Sequence, residues 1–169
     1  MSNVLMIGII LVVIFVLLLG FFVHRSRQKR VQLMLQRNAQ QTTNQAVTVA
    51  LVALTKQHPD QVSFSNQEVA QSQVNSKIWG RGVLLFSFEI RLQQPTVDLV
   101  TLKEQFETTL NRSAIEQGLV AASQQLQPFV ISDSWQQAGQ WHVDVAFTAN
   151  QATVNYVRDM QKVTTPTEA

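Results

Sequence analysis

Hydrophobic positions along the chain fall into three patterns: one unbroken block, several alternations, and recurrences at three and four. The block is Val4 to Val23, with eighteen apolar residues, two glycines and no charge. At about 1.5 Å per residue, a helix of that length reaches roughly 30 Å, the thickness of a bilayer's hydrocarbon core. A single transmembrane helix is therefore expected over 4–23, after a short tail at 1–3. Met1-Ser2-Asn3 carries no charged side chain, and Phe21-Phe22-Val23 leads straight into His24-Arg25 without a small-residue cleavage site. A retained signal-anchor is expected, not a cleaved signal peptide.

Residues 24–44 read as a basic juxtamembrane segment and linker. Val31 with Met34 or Leu35 has helical spacing, so the span is expected to continue briefly as a helix. Asn38 to Gln45 shows no apolar periodicity and is placed as the linker. Thr43 or Asn44 is a candidate cap for a new helix whose apolar stripe is Val47, Ala50, Leu51 and Leu54. Because AVTVALVAL is apolar on nearly every side, that helix is expected to lie against a sheet, a buried strand being the alternative. His58-Pro59 stops it, since proline cannot continue the hydrogen-bond ladder.

Val62 and Phe64 alternate like a short strand, and Ser65 with Glu68 resembles a capping box for a weak helix. From Gly82, Leu84, Phe86, Phe88, Ile90 and Leu92 share one parity while Ser87, Glu89 and Arg91 share the other, which predicts a strand near 82–92 with one core face. After Pro95, Leu99, Leu102, Phe106, Leu110 and Ala114 recur at three and four, the mark of an amphipathic helix starting from Thr96 or Thr101. The periodicity restarts at Ile115, Leu119, Ala122 and Leu126, and Ser113 with Glu116 and the nearby Gly118 can kink or divide the helix before Pro128, which leaves one long helix or two. Strands near 129–136 and 140–149 form a hairpin around Gln137-Ala138-Gly139, read as a three-residue loop. In that register Trp135 meets Trp141, Ile131 meets Val145 and Phe129 meets Phe147 on one face, and Asp133 opposite Val143 is the misfit. A bulge, an edge position or an unseen partner would explain it. Asn150 caps a last helix through Val154, Val157 and Met160, and 163–169 reads as a disordered tail. The fold class is α+β, a small mostly antiparallel sheet over 45–162 with helices on one face, a ferredoxin-like or related split arrangement among the candidates.

Charge sharpens the division between the two parts. Residues 1–37 hold five basic groups (Arg25, Arg27, Lys29, Arg30, Arg37) and no acid, whereas residues 38–169 hold eight basic and eleven acidic, a net of −3. The basic cluster abuts the apolar block, where positive charge marks the cytoplasmic flank and favours anionic headgroups. The expected topology is N-terminus outside and domain in the cytoplasm. The basic cluster has no interleaved aromatic to stack bases, so no nucleic-acid partner is expected.

The chain has no cysteine, which removes disulfides, thiolate metal sites and cysteine nucleophiles. His24, His58 and His142 lack the paired spacing of a zinc site, so no metal and no cofactor are expected. Trp79-Gly80-Arg81-Gly82 precedes a strand, the wrong order for a phosphate-cradling loop. The hairpin register sets Ser134 opposite His142 and Ser132 opposite Asp144, the one grouping that resembles a nucleophile, base and acid, but no strained elbow or oxyanion element accompanies it. A hydrated face is the plainer reading, with Ser134 and His142 dispensable to the fold. Trp79 and Asp133 are the candidate partner-facing residues, and the catalytic set is empty. Together these features point to a non-enzymatic, single-pass membrane-anchored interaction or scaffold module. Its expected partners are a bilayer with anionic headgroups and another protein or a second copy. The alternatives are the extracytoplasmic domain of an envelope or secretion assembly, or a membrane-tethered hydrolase.

Overall fold

Among the described residues eight elements follow one another in a computed structural model of the chain: α1 (Ser2–Gln57), β1 (Val62–Ser63), β2 (Gln73–Val74), β3 (Leu85–Leu92), α2 (Leu99–Glu116), β4 (Phe129–Gln137), β5 (Gln140–Phe147) and α3 (Gln151–Thr164). The structure describes residues 2–64, 69, 73–74, 80, 82–94 and 97–164, without the side chains of 2–14, 16, 20, 22–31, 73–74 and 164. The chain divides into two units, residues 1–37 and residues 38–169.

The first unit is the leading part of α1. Of the apolar block's side chains, Phe15, Leu17, Leu18, Leu19 and Phe21 are described, and all are at least 50% exposed. Among the described residues no helix is long and apolar enough to cross a membrane. The transmembrane helix expected over 4–23 is thus not supported by the structure, since most of that run's side chains lie outside the described residues. So do those of Arg25, Arg27, Lys29 and Arg30, whereas Arg37 is exposed, as are Leu33, Met34 and Leu35.

The second unit is α+β, with an antiparallel sheet ordered β1-β3-β5-β4 and β2 also beside β3. Both β3 and β4 pair antiparallel with β5, so they run parallel to each other on either side of it. Helix α2 joins them, which makes β3-α2-β4 a split β-α-β unit with β5 inserted. The parity read for β3 holds: Phe86, Phe88, Ile90 and Leu92 are buried on one face, and Glu89 and Arg91 are exposed on the other.

Against that buried face lie two helical stripes. From α1 come Ala39, Thr43, Ala46, Val47, Ala50, Leu51 and Leu54, spaced by threes and fours, and from α2 come Leu102, Phe106, Leu110 and Ala114. Phe106 meets the edge of Trp141 at 5.5 Å between centroids, and Phe129 stacks on Phe147 at 4.8 Å, as the hairpin pattern predicts. A hydrogen bond between His58 and Gln105 ties the end of α1 to α2.

Four expectations change here. Asn38–Gln45 is not a linker, because α1 runs through it unbroken. Thr43 does not cap a helix; its hydroxyl donates to the Ala39 carbonyl at 2.8 Å, a bond inside the helix. Burial of Ala39 and Thr43 against the core outweighs the weak helical preference of a stretch rich in Asn, Gln and Thr. Nor is AVTVALVAL buried all round, since Val49 and Val52 are 49% and 40% exposed. Finally, the helices cover both faces of the sheet: α3 packs on the second face, where Val157 joins Val83, Leu85 and Ala146 in a separate small cluster.

The helix ends follow local chemistry. Asp98, not Thr96 or Thr101, caps α2, accepting from the Val100 and Thr101 amides at 3.1 and 3.2 Å. The Thr101 hydroxyl also donates to it at 2.7 Å, and these bonds, that of the Thr101 side chain foremost, hold its carboxyl below the usual range. At the other end Gly118, at φ +72°, lets Leu119 N–H bond back to Ala114 at 2.9 Å, so α2 ends at Glu116 and the periodic stretch through Leu126 is neither its continuation nor a second helix. Asn150 caps α3 as expected, accepting from the Thr153 amide at 2.8 Å. That helix continues to Thr164, past the expected onset of the tail at 163, and 165–169 lie outside the described residues. The capping pair Ser65 and Glu68 lies outside them as well.

Strand β4 is last in the sheet, and α2 seals half of its outer edge. Asn111, 7% exposed, donates to the Phe129 carbonyl and accepts from the Phe129 amide, both at 2.9 Å. Glu107 accepts from the Ile131 amide at 3.1 Å. Asn111 thereby does what a neighbouring strand would do. Asn111→Ala is expected to lower unfolding free energy by about 3 kcal/mol, because two buried backbone groups lose their partners; urea denaturation checks it. At the hairpin turn Ala138 has φ +51° beside Gly139 at +77°. Ala138→Asn, which tolerates that conformation, is expected to gain about 1 kcal/mol in the same measurement.

Candidate functional site

The hairpin closes through a two-residue loop, Ala138-Gly139, with Gln137 paired to Gln140, not through the three-residue loop expected. Phe129–Phe147, Val130–Ala146 and Ile131–Val145 keep the expected register, and a bulge then interrupts it between Ile131 and Asp133. Ser132 is the inserted residue. Beyond it every pairing moves by one: Asp133 faces Asp144, Ser134 faces Val143, Trp135 faces His142 and Gln136 faces Trp141. The misfit at Asp133 is thereby resolved, because the bulge turns its carboxylate from the face packed by α1 and α2 to the outer face, which α3 covers only in part and where Asp133 is exposed.

The same shift dismantles two pairings read from the sequence. Trp135 does not meet Trp141: the latter is fully buried beneath α2, whereas Trp135 is 38% exposed on the opposite face and stacks on His142, ring centroids 5.0 Å apart and planes within 6°. Ser134 does not meet His142 either. Its hydroxyl accepts from the Trp141 indole N–H at 2.7 Å, on the other side of the strand from His142. The Ser-His-Asp grouping that a hydrolase would need is therefore not assembled.

What the outer face does assemble is a polar patch from four elements. Ser87 of β3 donates a hydrogen bond to Asp144 of β5, which is 9% exposed. Ser132 donates to the Asp144 carbonyl at 3.3 Å, and the Tyr156 phenol of α3 lies near Ser132, Asp144 and Asp133. Glu89 lies across from His142, its carboxylate 3.9 Å from Nδ1. Burial raises the Asp144 carboxyl above its usual range, opposed by the Ser87 bond and assisted by the charge of Asp133. Burial likewise raises the Tyr156 phenol.

Of the two candidate partner-facing residues, Asp133 belongs to this patch and Trp79 lies outside the described residues. Among the described residues no group of three or more His, Asp or Glu side chains is placed to hold a metal. Sequence reasoning missed Ser87 and Tyr156 as neighbours of Asp144, and Trp135 as the partner of His142. The signal was the misfit at Asp133 itself: shifting the second half of the strand by one residue brings Trp135 to His142. No family model, curated protein or solved structure matches the chain.

Ser134, expected to be dispensable, now has a structural role. Ser134→Ala is expected to cost about 1–2 kcal/mol in urea denaturation, since the buried indole of Trp141 loses its acceptor.

Proposed function

We propose that the protein is a single-pass membrane-anchored interaction module whose α+β domain lies in the cytoplasm and acts without catalysing a reaction. The observation that carries this reading is the run Val4 to Val23, apolar and uncharged, followed at once by five basic residues and no acid up to Arg37. The described side chains of that run are exposed, which suits a hydrocarbon environment better than water. The exposed Leu33, Met34 and Leu35 lie between Arg30 and Arg37 and suit the headgroup boundary.

Tethering a small domain at a bilayer raises its local concentration toward other membrane-bound partners or further copies of itself. The outer edge of β4 is a poor place for such a partner to add a strand. Asn111, Glu107 and Asp133, which accepts from the Ser134 amide at 2.8 Å, already occupy its backbone groups. Recognition is therefore assigned to side-chain surfaces.

Sidedness is the decisive test. The chain has no cysteine, and Val163 near the end of α3 is 82% exposed, so Val163→Cys offers one accessible thiol. With a membrane-impermeant maleimide, labelling is expected only after cell lysis. Labelling of intact cells would overturn the cytoplasmic reading and favour a domain working in an envelope or secretion assembly.

A further inference from the structure

We propose that Asp144 and Asp133, brought face to face by the bulge, form an acid-closed latch that holds the C-terminal half of α3 on the sheet. The register places the two carboxyl-bearing residues directly opposite each other on neighbouring strands. Like charges at such positions oppose each other, and the cost is greatest where one of them is buried. Asp144 is that one. Among the described residues no Lys or Arg ion pair reaches it.

The groups that surround Asp144 come from every packed element. Ser87 of β3 donates to it, with Glu89 and the exposed Arg91 further along the same face. From β4 come Asp133 and Ser132, from β5 His142, and from α3 Tyr156. Asp159 of α3 is paired with Lys162 at 3.1 Å. A proton on Asp144 removes the like-charge contact with Asp133 and leaves the Ser87 bond in place. Loss of that proton puts two negative charges near Tyr156, the α3 side chain that packs on the Val83, Leu85 and Ala146 cluster.

The remainder of α3 shows which part moves. Its first turn is fastened to the start of β3: Asn150 donates to the Gly82 carbonyl at 2.8 Å, and Thr153 accepts from the Leu84 amide at 2.9 Å. From Ala152 to Met160 the helix borders an open cleft of about 370 Å³, lined also by Val83, Asn155, Tyr156 and Asp159, and its second half is held outside the sheet by exposed bonds from Arg158 to Ser123 and Gln125 at 3.2 and 3.0 Å. Loosening from Tyr156 onward would uncover Val83 and Leu85 while the anchored first turn acts as the hinge. The sign follows from the raised carboxyl: its stabilising contribution is present below the ordinary Asp value of 3.8 and is lost as pH rises through the higher value in the fold.

Tyr156 is the chain's only tyrosine, so 3-fluorotyrosine labelling of the full chain in detergent micelles gives one ¹⁹F resonance at the latch. Between pH 3.5 and 7.5 it is expected to shift with a single midpoint above 3.8. Asp144→Asn is expected to abolish the shift and hold the acid-form position at all pH values. Asp133→Asn is expected to move the midpoint down while keeping the transition, and His142→Gln to retain it. A resonance that does not move, a transition that survives Asp144→Asn, or one lost in His142→Gln would overturn the latch. So would an unmoved midpoint in Asp133→Asn.

Discussion

One inserted residue, Ser132, governs the second unit. Side chains on a strand alternate faces with a period of two, so a single insertion reverses the assignment of everything beyond it. Without it Asp133 would stand opposite Val143 on the helix-covered face and carry a carboxylate into the core, a placement that costs several kcal/mol. With it, Phe129 and Ile131 stay in the core, Asp133 and Trp135 turn outward, and Ser134 turns inward to meet Trp141. The hairpin is matched to this choice, because Ala138 and Gly139 both at positive φ make the two-residue loop that suits the twist of paired strands.

The two faces of the sheet that result have different physical character. Toward α1 and α2 the face is dry, with Trp141, Phe106, Phe129 and the valines of β5 interlocked. Toward α3 the sheet is apolar at Leu85 and Ala146, and beyond them it carries Ser87, Glu89, His142, Asp144 and Asp133, with Trp135 stacked on His142. A hairpin end left uncovered by a helix has to be polar on that side, and a buried acid among such residues is held by neighbouring hydroxyls in place of a cation. The exposed half of the outer edge is protected in turn by the carboxylate of Asp133. The same residue therefore resolves the register, guards the edge and loads the outer face with charge.

Local signals on the chain were sufficient for most of the elements. The parity of Phe86, Phe88, Ile90 and Leu92, the three-and-four spacing from Leu102 to Ala114, the stop at Pro59 and the cap at Asn150 each name an element by its own hydrogen bonding and periodicity. Less of the candidate patch was legible. Asp133 stood out as an anomaly, but its neighbours Ser87 and Tyr156 are distant in sequence and come together only through strand pairing and helix docking. The Ser134–His142 pairing was a false reading produced by carrying one register through the whole hairpin.

Residue order by itself determined the separation of a basic, apolar leader from a mildly acidic α+β domain, since charge and hydrophobicity are properties of composition. It determined the core face of β3 and of α2, since those depend on periodicity alone. Only the tertiary structure decided that α1 continues through Asn38–Gln45, because burial of Ala39 and Thr43 against distant strands stabilises a helix that local propensity leaves marginal. It alone decided where the bulge falls and that α3 takes the second face. Both depend on which of several sterically allowed arrangements pairs the Phe129 backbone with Asn111 and the Trp141 indole with Ser134 while burying the apolar faces, a condition set by the whole assembly of elements and by no segment alone.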